Sequence, residues 1–334
     1  MEGINKHPYA GNKESMESPS VLVSVAVLTY NQEDYIADCL NSIIAQQTDF
    51  SFEIIVGDDH STDNTPYILQ DYAKKYPSLF SVITHETNVG ISENYKRVFC
   101  ACTGKYIAIC EGDDFWIDTH KLSDQVSFLE THPSFSFVGA YVNILKKNKF
   151  IFDPYNYLPA PKIEGEWELY GDVFYYAKYG VICHTVTICF RKEIIDPYIA
   201  IPGIGNDLVL QTILSKYGEY ARLNRIVSVY RIAGISHSPH SLEKTKRYSD
   251  WRYDCLQLQK QLFPESCDWD EDAMSDIRYF PVFQYYIKHL EFRKAKEIRS
   301  LIKSKRFTKK PSYRYSYWFV PFVLLSLFLN IKSH

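Results

Sequence analysis

Asp58-Asp59 and Glu111-Gly112-Asp113-Asp114 are the residues best placed to do chemistry. Each group follows a short apolar run rich in β-branched residues. Packing offers no reason to gather like charges there, because neighbouring carboxylates repel unless a cation or a donor-rich ligand compensates them. Turn and capping aspartates after strands are the alternative reading. No G-x-x-x-x-G-K-[ST] loop occurs, since Gly104-Lys105 lacks the upstream glycine, and no G-x-G-x-x-G follows the first apolar run. Two common ways of cradling phosphate are therefore missing. A divalent ion is the obvious substitute: Mg²⁺ or Mn²⁺ takes oxygen ligands and commonly bridges one or two aspartates to a diphosphate.

The elements that must position these carboxylates follow from periodicity. Val21–Thr29 is a continuous apolar run of the kind a strand covered on both faces shows. Tyr30-Asn31-Gln32-Glu33-Asp34 is turn and helix-start chemistry, after which Tyr35, Ile36, Cys39, Leu40, Ile43 and Ile44 recur at helical spacing. A second strand, Phe52–Val56, runs into Asp58-Asp59, and Ser61, Thr62 and Asp63 are N-cap candidates for a helix through Ile68, Leu69 and Tyr72. Phe80–Thr84 is a third strand, a helix over Ser92–Cys102 follows the turn at Asn88-Val89-Gly90, and Lys105–Cys110 is a fourth strand ending in the Glu111 motif. This alternation predicts an α/β fold of βαβ units with a mostly parallel sheet flanked by helices. Ligands of such sheets bind outside the carboxyl ends of the strands, where both acidic groups fall.

At 334 residues the chain has length for two domains, or for one large α/β domain with an appendage. Its 46% hydrophobic and 23% charged residues exclude collagen-like, low-complexity and wholly disordered classes. With 37 Lys+Arg against 40 Asp+Glu, a general electrostatic grip on nucleic acid is not expected. An aromatic content of 16% suits pockets that stack flat or sugar-like ligands, and equally an ordinary core. The eight cysteines show neither C-x-x-C pairs nor zinc spacing, so free buried thiols are expected. Residues 1–20 read as a loose polar tail without an apolar export segment, which points to a cytosolic body.

The stretches VSVAVLTYNQEDYIADCLNSI, FEIIVGDDHSTDNT, NVGISENYKRV and GKYIAICEGDDFWIDTHKLSDQVSFLETHP, in this order over residues 21–133, resemble the inverting glycosyltransferase family 2, whose members bind nucleotide sugars on a GT-A fold. HTVTICFRKE at His184–Glu193, then Gly205-Asn206-Asp207 and Val229-Tyr230-Arg231-Ile232, look like the acceptor half of the same domain. The resemblance implies a nucleotide-sugar half over 21–133 and an acceptor half over 134–241. It implies that Asp59, beside Asp58, recognises the nucleobase in a crevice lined by Thr29 and Tyr30. It assigns Asp113 to an Mn²⁺ or Mg²⁺ ion and Asp114 to the sugar or a second metal contact, with Glu111 in place of the commoner first aspartate. Asp207 resembles the catalytic base, with Asn206 where an acidic neighbour is usual. As a plain structural residue Asp207 would cap a helix over Leu208–Lys216.

Arg231 and His237 resemble a loop that closes over the diphosphate; a surface salt bridge is the other reading of Arg231. His184 and Trp116 are acceptor-side candidates, against the readings of a core histidine and of a wall that packs the acidic motif. The implied activity is sugar transfer from a nucleotide-diphosphate donor, a UDP-sugar favoured, to a glycan or lipid-linked acceptor in cell-surface polysaccharide synthesis. Two alternatives stay open: a metal-dependent nucleotidyltransferase, which would release pyrophosphate and need no base at Asp207, and a nucleotide-sugar-binding scaffold without catalysis.

From Leu242 to about Lys310 the pattern turns helical, with Trp251, Cys255, Leu258 and Leu262 on one seam and a second amphipathic stretch from Tyr279 to Ile302, giving a helical appendage over 242–310. Lys303, Lys305, Arg306, Lys309, Lys310 and Arg314 then precede the uncharged run Tyr315–Ile331, which Pro321 would kink. This tail, 311–334, reads as a monotopic membrane contact that holds the protein peripherally at the inner face of the cell membrane, or else as a helix packed on a core.

Overall fold

The computed structural model describes residues 21–151, 162–173, 182–200, 207–232, 242–262, 264, 279, 281–283, 285–286 and 289–302. They fall into two compact units, one within 21–232 and one within 242–302.

In the first unit β1 (Val23–Thr29) is buried at every position, as a strand sandwiched between helical layers must be. α1 (Ile36–Ile44) buries Ile36, Cys39, Leu40 and Ile43, a single helical stripe. β2 (Phe52–Asp58) runs two residues past the expected end, so Asp58 is the last residue of a strand and not part of the loop. α2 (Thr65–Lys75) starts just after Asp63, whose Oδ1 accepts the Thr65 N–H at 2.9 Å; Pro66 in its first turn lacks only a donor that no helical acceptor awaits. β3 (Phe80–Thr84), α3 (Ile91–Ala101) and β4 (Tyr106–Ile109) complete the series. β1 through β4 are parallel in the order β3-β2-β1-β4, with Thr29 beside Asp58 and Asp58 beside Thr84. Val23, Val25, Val27, Ile54, Val56, Tyr106 and Ala108 form the centre of the core.

The sheet then continues as a mixed one. β5 (Phe115–Trp116), α4 (Lys121–Thr131), β6 (Phe135–Lys146), β7 (Lys149–Ile151), β8 (Lys162–Glu164) and β9 (Trp167–Gly171) are followed by a 3₁₀ turn at Thr185–Thr187 and by β10 (Cys189–Arg191). After these come α5 (Asp196–Ala200), α6 (Asp207–Lys216) and β11 (Glu219–Arg231). β10 lies antiparallel to both β4 and β6 and so joins the two halves. β11 runs parallel to β6, and its far end pairs with β5 through Ser228–Trp116 and Val229–Phe115. The seven described cysteines are all free.

The second unit contains α7 (Leu242–Leu262) and α8 (Phe292–Arg299), and a small core of Val282, Phe283, Tyr286, Ala295 and Ile302. On α7 the buried positions include Cys255, Leu256 and Gln259, while the expected seam residue Leu258 is half-buried. Among the described residues no helix is long and apolar enough to cross a membrane. The N-terminal tail 1–20, Asn206, His237, Cys267 and the basic and apolar stretch from Lys303 onward lie outside the described residues.

Candidate active site

β1 carries both acidic groups on its carboxyl end. Its Ala26 and Leu28 carbonyls accept the N–H groups of Cys110 and Gly112, at 3.1 and 2.8 Å, and its Thr29 carbonyl accepts the Asp59 N–H at 3.0 Å. The chain leaving β4 is thereby laid along the end of β1, and the glycine is required there. A Cβ on Gly112 would stand 2.4 Å from Gln32 Oε1 and 3.0 Å from Thr29 Oγ1.

Asp114 is buried, and its Oδ1 accepts the backbone N–H of Arg231 at 2.7 Å. Burial pushes its carboxyl well up, and the charges of Asp113 and Glu111 push the same way. Arg231, the last residue of β11, also donates from Nη1 to the Asp113 carbonyl at 3.2 Å and from Nη2 to Asp38 at 2.6 Å, with its guanidinium 4.4 Å above the Phe115 ring. Its expected loop position is thus corrected to a strand end, anchored by β11 pairing with β5 and β6. Asp113 is less enclosed; burial raises its pKa, and the Arg231 charge opposes that rise. Glu111 accepts the Tyr95 hydroxyl at 2.9 Å and is pushed up to about 7, first by burial and then by Asp113 and Asp207.

Asp207 opens α6, and its Oδ1 accepts the Leu208 N–H at 2.8 Å, so it does contribute to the helix start. Its charge also acts on Glu111, on Tyr95 and on Tyr230. The fold therefore brings the carboxylate from residue 207 into the field of the 111–114 motif. Tyr230 lies in the same field: burial first, then Asp114, Asp113, Glu111 and Asp207 hold its phenol protonated well above the usual range. The His184 ring packs on Tyr230 with centroids 4.8 Å apart.

The remaining predicted residues are placed as follows. Asp59 is buried, and its two carboxylate oxygens accept the Val89 and Gly90 N–H groups at 2.6 and 2.9 Å. Asp58 accepts from Ser61, and burial raises its pKa. Thr29 is buried and Tyr30 is exposed at the end of β1. Of its two readings Trp116 takes the wall, not the acceptor contact: it is 4% exposed, donates from Nε1 to the Val186 carbonyl at 2.9 Å, and has the Lys121 ammonium 4.2 Å above its ring. Sequence reasoning missed Gln32, Tyr95 and Tyr230, because what marks them is contact across tens to hundreds of residues.

Among the described residues no group of three or more His, Cys, Asp or Glu could hold a metal ion alone. The residues present fit an ion shared with a diphosphate. Asp113 offers a carboxylate whose buried charge lacks full compensation, and Thr29 Oγ1, Gln32 Oε1 and Glu111 Oε2 are buried oxygens with no hydrogen-bond partner. One or two carboxylates with substrate phosphates are a sufficient ligand set for Mg²⁺ or Mn²⁺. An open depression of about 640 Å³ at Ile117–His120 and Arg225–Ile226 is lined by none of these carboxylates. Its Arg225 is occupied by Asp118, Asp124 and Glu166.

Comparison with known proteins agrees with this architecture. The glycosyl transferase family 2 model matches residues 24–195. An uncharacterized protein of Mycobacterium tuberculosis is 49% identical over 111 residues, 33% of this chain and 32% of its own length, so the match spans about a third of that relative. The Escherichia coli protein named UDP-Glc:alpha-D-GlcNAc-diphosphoundecaprenol beta-1,3-glucosyltransferase WfaP is 30% identical over 232 residues, 69% of this chain and 84% of that protein. Among solved structures, S. aureus TarS 1–349 in complex with UDP-GlcNAc superposes with a TM-score of 0.55 at 21% identity, covering 80% of this chain and 73% of that one, a likeness of fold to a GT-A glycosyltransferase. With the strand-end carboxylates, the sheet order and these matches together, the chain belongs to glycosyl transferase family 2.

Proposed function

We propose that this enzyme transfers a sugar, with inversion, from a nucleoside-diphosphate donor to a glycan or lipid-linked acceptor in the synthesis of a surface polysaccharide. The observation that carries the reading is the convergence of Asp113, Asp114 and Asp207, from distant parts of the chain, into one electrostatic field at the strand ends. A UDP-sugar is the favoured donor, and the name of the Escherichia coli relative, with its UDP-glucose donor and diphosphoundecaprenol-linked acceptor, supports that choice.

In this mechanism Asp59, with Thr29 and Tyr30, receives the nucleobase, and Asp113 and Asp114 face the diphosphate and sugar. Asp113 would hold Mn²⁺ or Mg²⁺, which when bound would supply charge neutralisation for the leaving group. Arg231 holds the acidic motif closed and adds positive charge beside the diphosphate, and His237 is a further donor-binding residue. Asp207 accepts the proton of the acceptor hydroxyl as that oxygen attacks the anomeric carbon from the face opposite the diphosphate. The anomeric C–O bond to the diphosphate breaks and the nucleoside diphosphate departs. His184, packed on Tyr230, lines the acceptor side. The basic and apolar tail from Lys303 onward attaches the enzyme peripherally to the inner membrane face, beside lipid-linked acceptors.

The test is release of nucleoside diphosphate from a panel of nucleotide sugars with Mn²⁺, with and without acceptor. Acceptor-stimulated UDP release supports the reading. Release of pyrophosphate would indicate nucleotidyl transfer, and tight donor binding without turnover would indicate a binding scaffold.

A further inference from the structure

The hairpin of β6 and β7 carries residues that its own folding does not favour. The two strands pair antiparallel with Leu145 opposite Phe150 and Lys146 opposite Lys149, so only Lys147 and Asn148 lie in the turn. Both turn residues have left-handed backbones, with φ of +48° and +58°, as the tightest hairpins require; asparagine takes that conformation readily, whereas a lysine there is uncommon. Like charges directly opposite on neighbouring strands repel, yet Lys146 faces Lys149 and Lys147 joins them at the tip. All three are exposed. Among the described residues none of them makes an ion pair, while Lys105, Lys162 and Lys294 all do. Beside them Phe150 is 64% exposed.

The sheet fixes where this tip stands. β6 runs parallel to β11 with Leu145 beside Arg231, and the Leu145 carbonyl accepts the Ile232 N–H at 2.9 Å. Arg231 in turn donates its backbone N–H to Asp114. The tip therefore continues past the level of the acidic motif by two residues, roughly 7 Å of strand, on the end of the sheet that carries the strand-end carboxylates. A chain with a net charge of -3 gathers three positive charges and an exposed aromatic at this one projection. That combination matches the boundary of a bilayer with anionic headgroups, where ammonium groups meet the phosphates while lysine stems and an aromatic ring reach the acyl edge. A soluble polyanion would answer the charges but offers no apolar phase to Phe150.

We propose that the β6–β7 hairpin tip, through Lys146, Lys147, Lys149 and Phe150, docks on an anionic lipid bilayer and so turns the carboxyl ends of the strands toward the membrane surface. The inference rests on the membrane-face reading above, but it uses residues of the first unit alone, none of them in the stretch from Lys303 onward and none in the donor site. A lysine held near an anionic surface contributes about fivefold to affinity, so three contribute roughly 100-fold. Burial of the Phe150 ring adds to this without regard to lipid charge.

The experiment is flotation of the full chain with vesicles of phosphatidylcholine alone and of phosphatidylcholine mixed with phosphatidylglycerol, over a salt series, with UDP binding and thermal melts in parallel. The variants are the triple change Lys146→Gln, Lys147→Gln and Lys149→Gln, and the single change Phe150→Ser. The expected result is that the triple variant binds the mixed vesicles roughly 100-fold more weakly at low salt, with a shallower salt dependence. Phe150→Ser weakens the same binding by about 10-fold. Both retain UDP affinity and melt as cooperatively as the unaltered protein, since every substituted side chain is exposed. Equal vesicle binding by the triple variant and the unaltered protein overturns the inference and leaves the membrane-face reading standing. Loss of heparin or oligonucleotide binding in the triple variant, with vesicle binding unchanged, likewise overturns it and assigns the tip to a soluble polyanion. An unaltered protein that binds neither kind of vesicle removes the membrane-face reading itself and the inference with it.

Discussion

The backbone N–H of Arg231 donates to Asp114 Oδ1 at 2.7 Å, while the side chain of the same arginine reaches Asp38 at 2.6 Å. The first contact survives any substitution that leaves the backbone in place; the second does not. Arg231→Ala should therefore keep Asp114 in position, cost at most about 1 kcal/mol through an ion pair whose Asp38 partner is largely exposed, and weaken UDP binding if the guanidinium serves the diphosphate. Asp38→Asn is the control. Equal binding losses in both variants, measured by calorimetry, would reduce Arg231 to a structural clamp.

Asp59 combines a turn-holding role with the proposed recognition of the base. Its carboxylate satisfies two backbone donors at the entry to α3, and Gly90 in that turn has a φ of +81°, a conformation that favours glycine. Asp59→Ala should lower stability by about 1–3 kcal/mol by leaving those donors unpaired. It should also weaken UDP binding in EDTA, where no metal contributes. A melt showing the stability loss with metal-free UDP affinity unchanged would confine Asp59 to the turn.

Asp207→Asn separates binding from chemistry. Asparagine accepts the Leu208 N–H as aspartate does, so α6 should keep its start and the melting temperature should barely move. Donor affinity should persist, while transfer falls by roughly 10²–10⁴ through loss of the base. Near-normal turnover at saturating substrates would take Asp207 out of the mechanism and direct attention to His184 and His237.

Lys121 gives a pH prediction. It is fully buried, donates to Gln125 Oε1 at 2.8 Å, and burial pushes its ammonium down to about 8 from an ordinary 10.5. Between those two values the unfolded chain holds a proton that the folded chain has released, so this group's contribution to stability rises with pH across that window; below pH 8 its cost is at its full value. The unaltered protein should therefore gain on Lys121→Met by roughly 2 kcal/mol between pH 7 and 10. Denaturant midpoints of both proteins at the two pH values check this, and the difference between them cancels the titration of groups that do not interact with Lys121. A constant difference would mean Lys121 is neutral throughout.

The first half of the sheet was legible because β1, β4 and β2 from Ile54 onward are covered on both faces, and their apolar runs end at polar turns. The acidic groups declared themselves by sitting where those runs stop. What the sequence hid is the mixed half, in which β10 lies between β4 and β6 and β11 pairs with both β6 and β5. Those neighbours are set by packing between distant segments, which local periodicity does not encode. Trp116 illustrates the point: an aromatic beside an acidic motif suggests a sugar face, but pairing with β11 and the Val186 carbonyl turns it into the core. Gln32 illustrates the converse, a residue ordinary in a turn until its amide is seen against Gly112.

The bond between Arg231 and Asp114 joins residues 117 positions apart, and this bears on the order in which the molecule can be assembled. During synthesis the segment carrying β1 to β4 emerges long before β11, so Asp114 waits without its backbone donor while more than a hundred further residues are added. Closing so long a loop carries an entropic cost that grows with the logarithm of its length, and pairings of this sequence separation form slowly. The strand made last in the first unit is thus the one that seals the acidic loop.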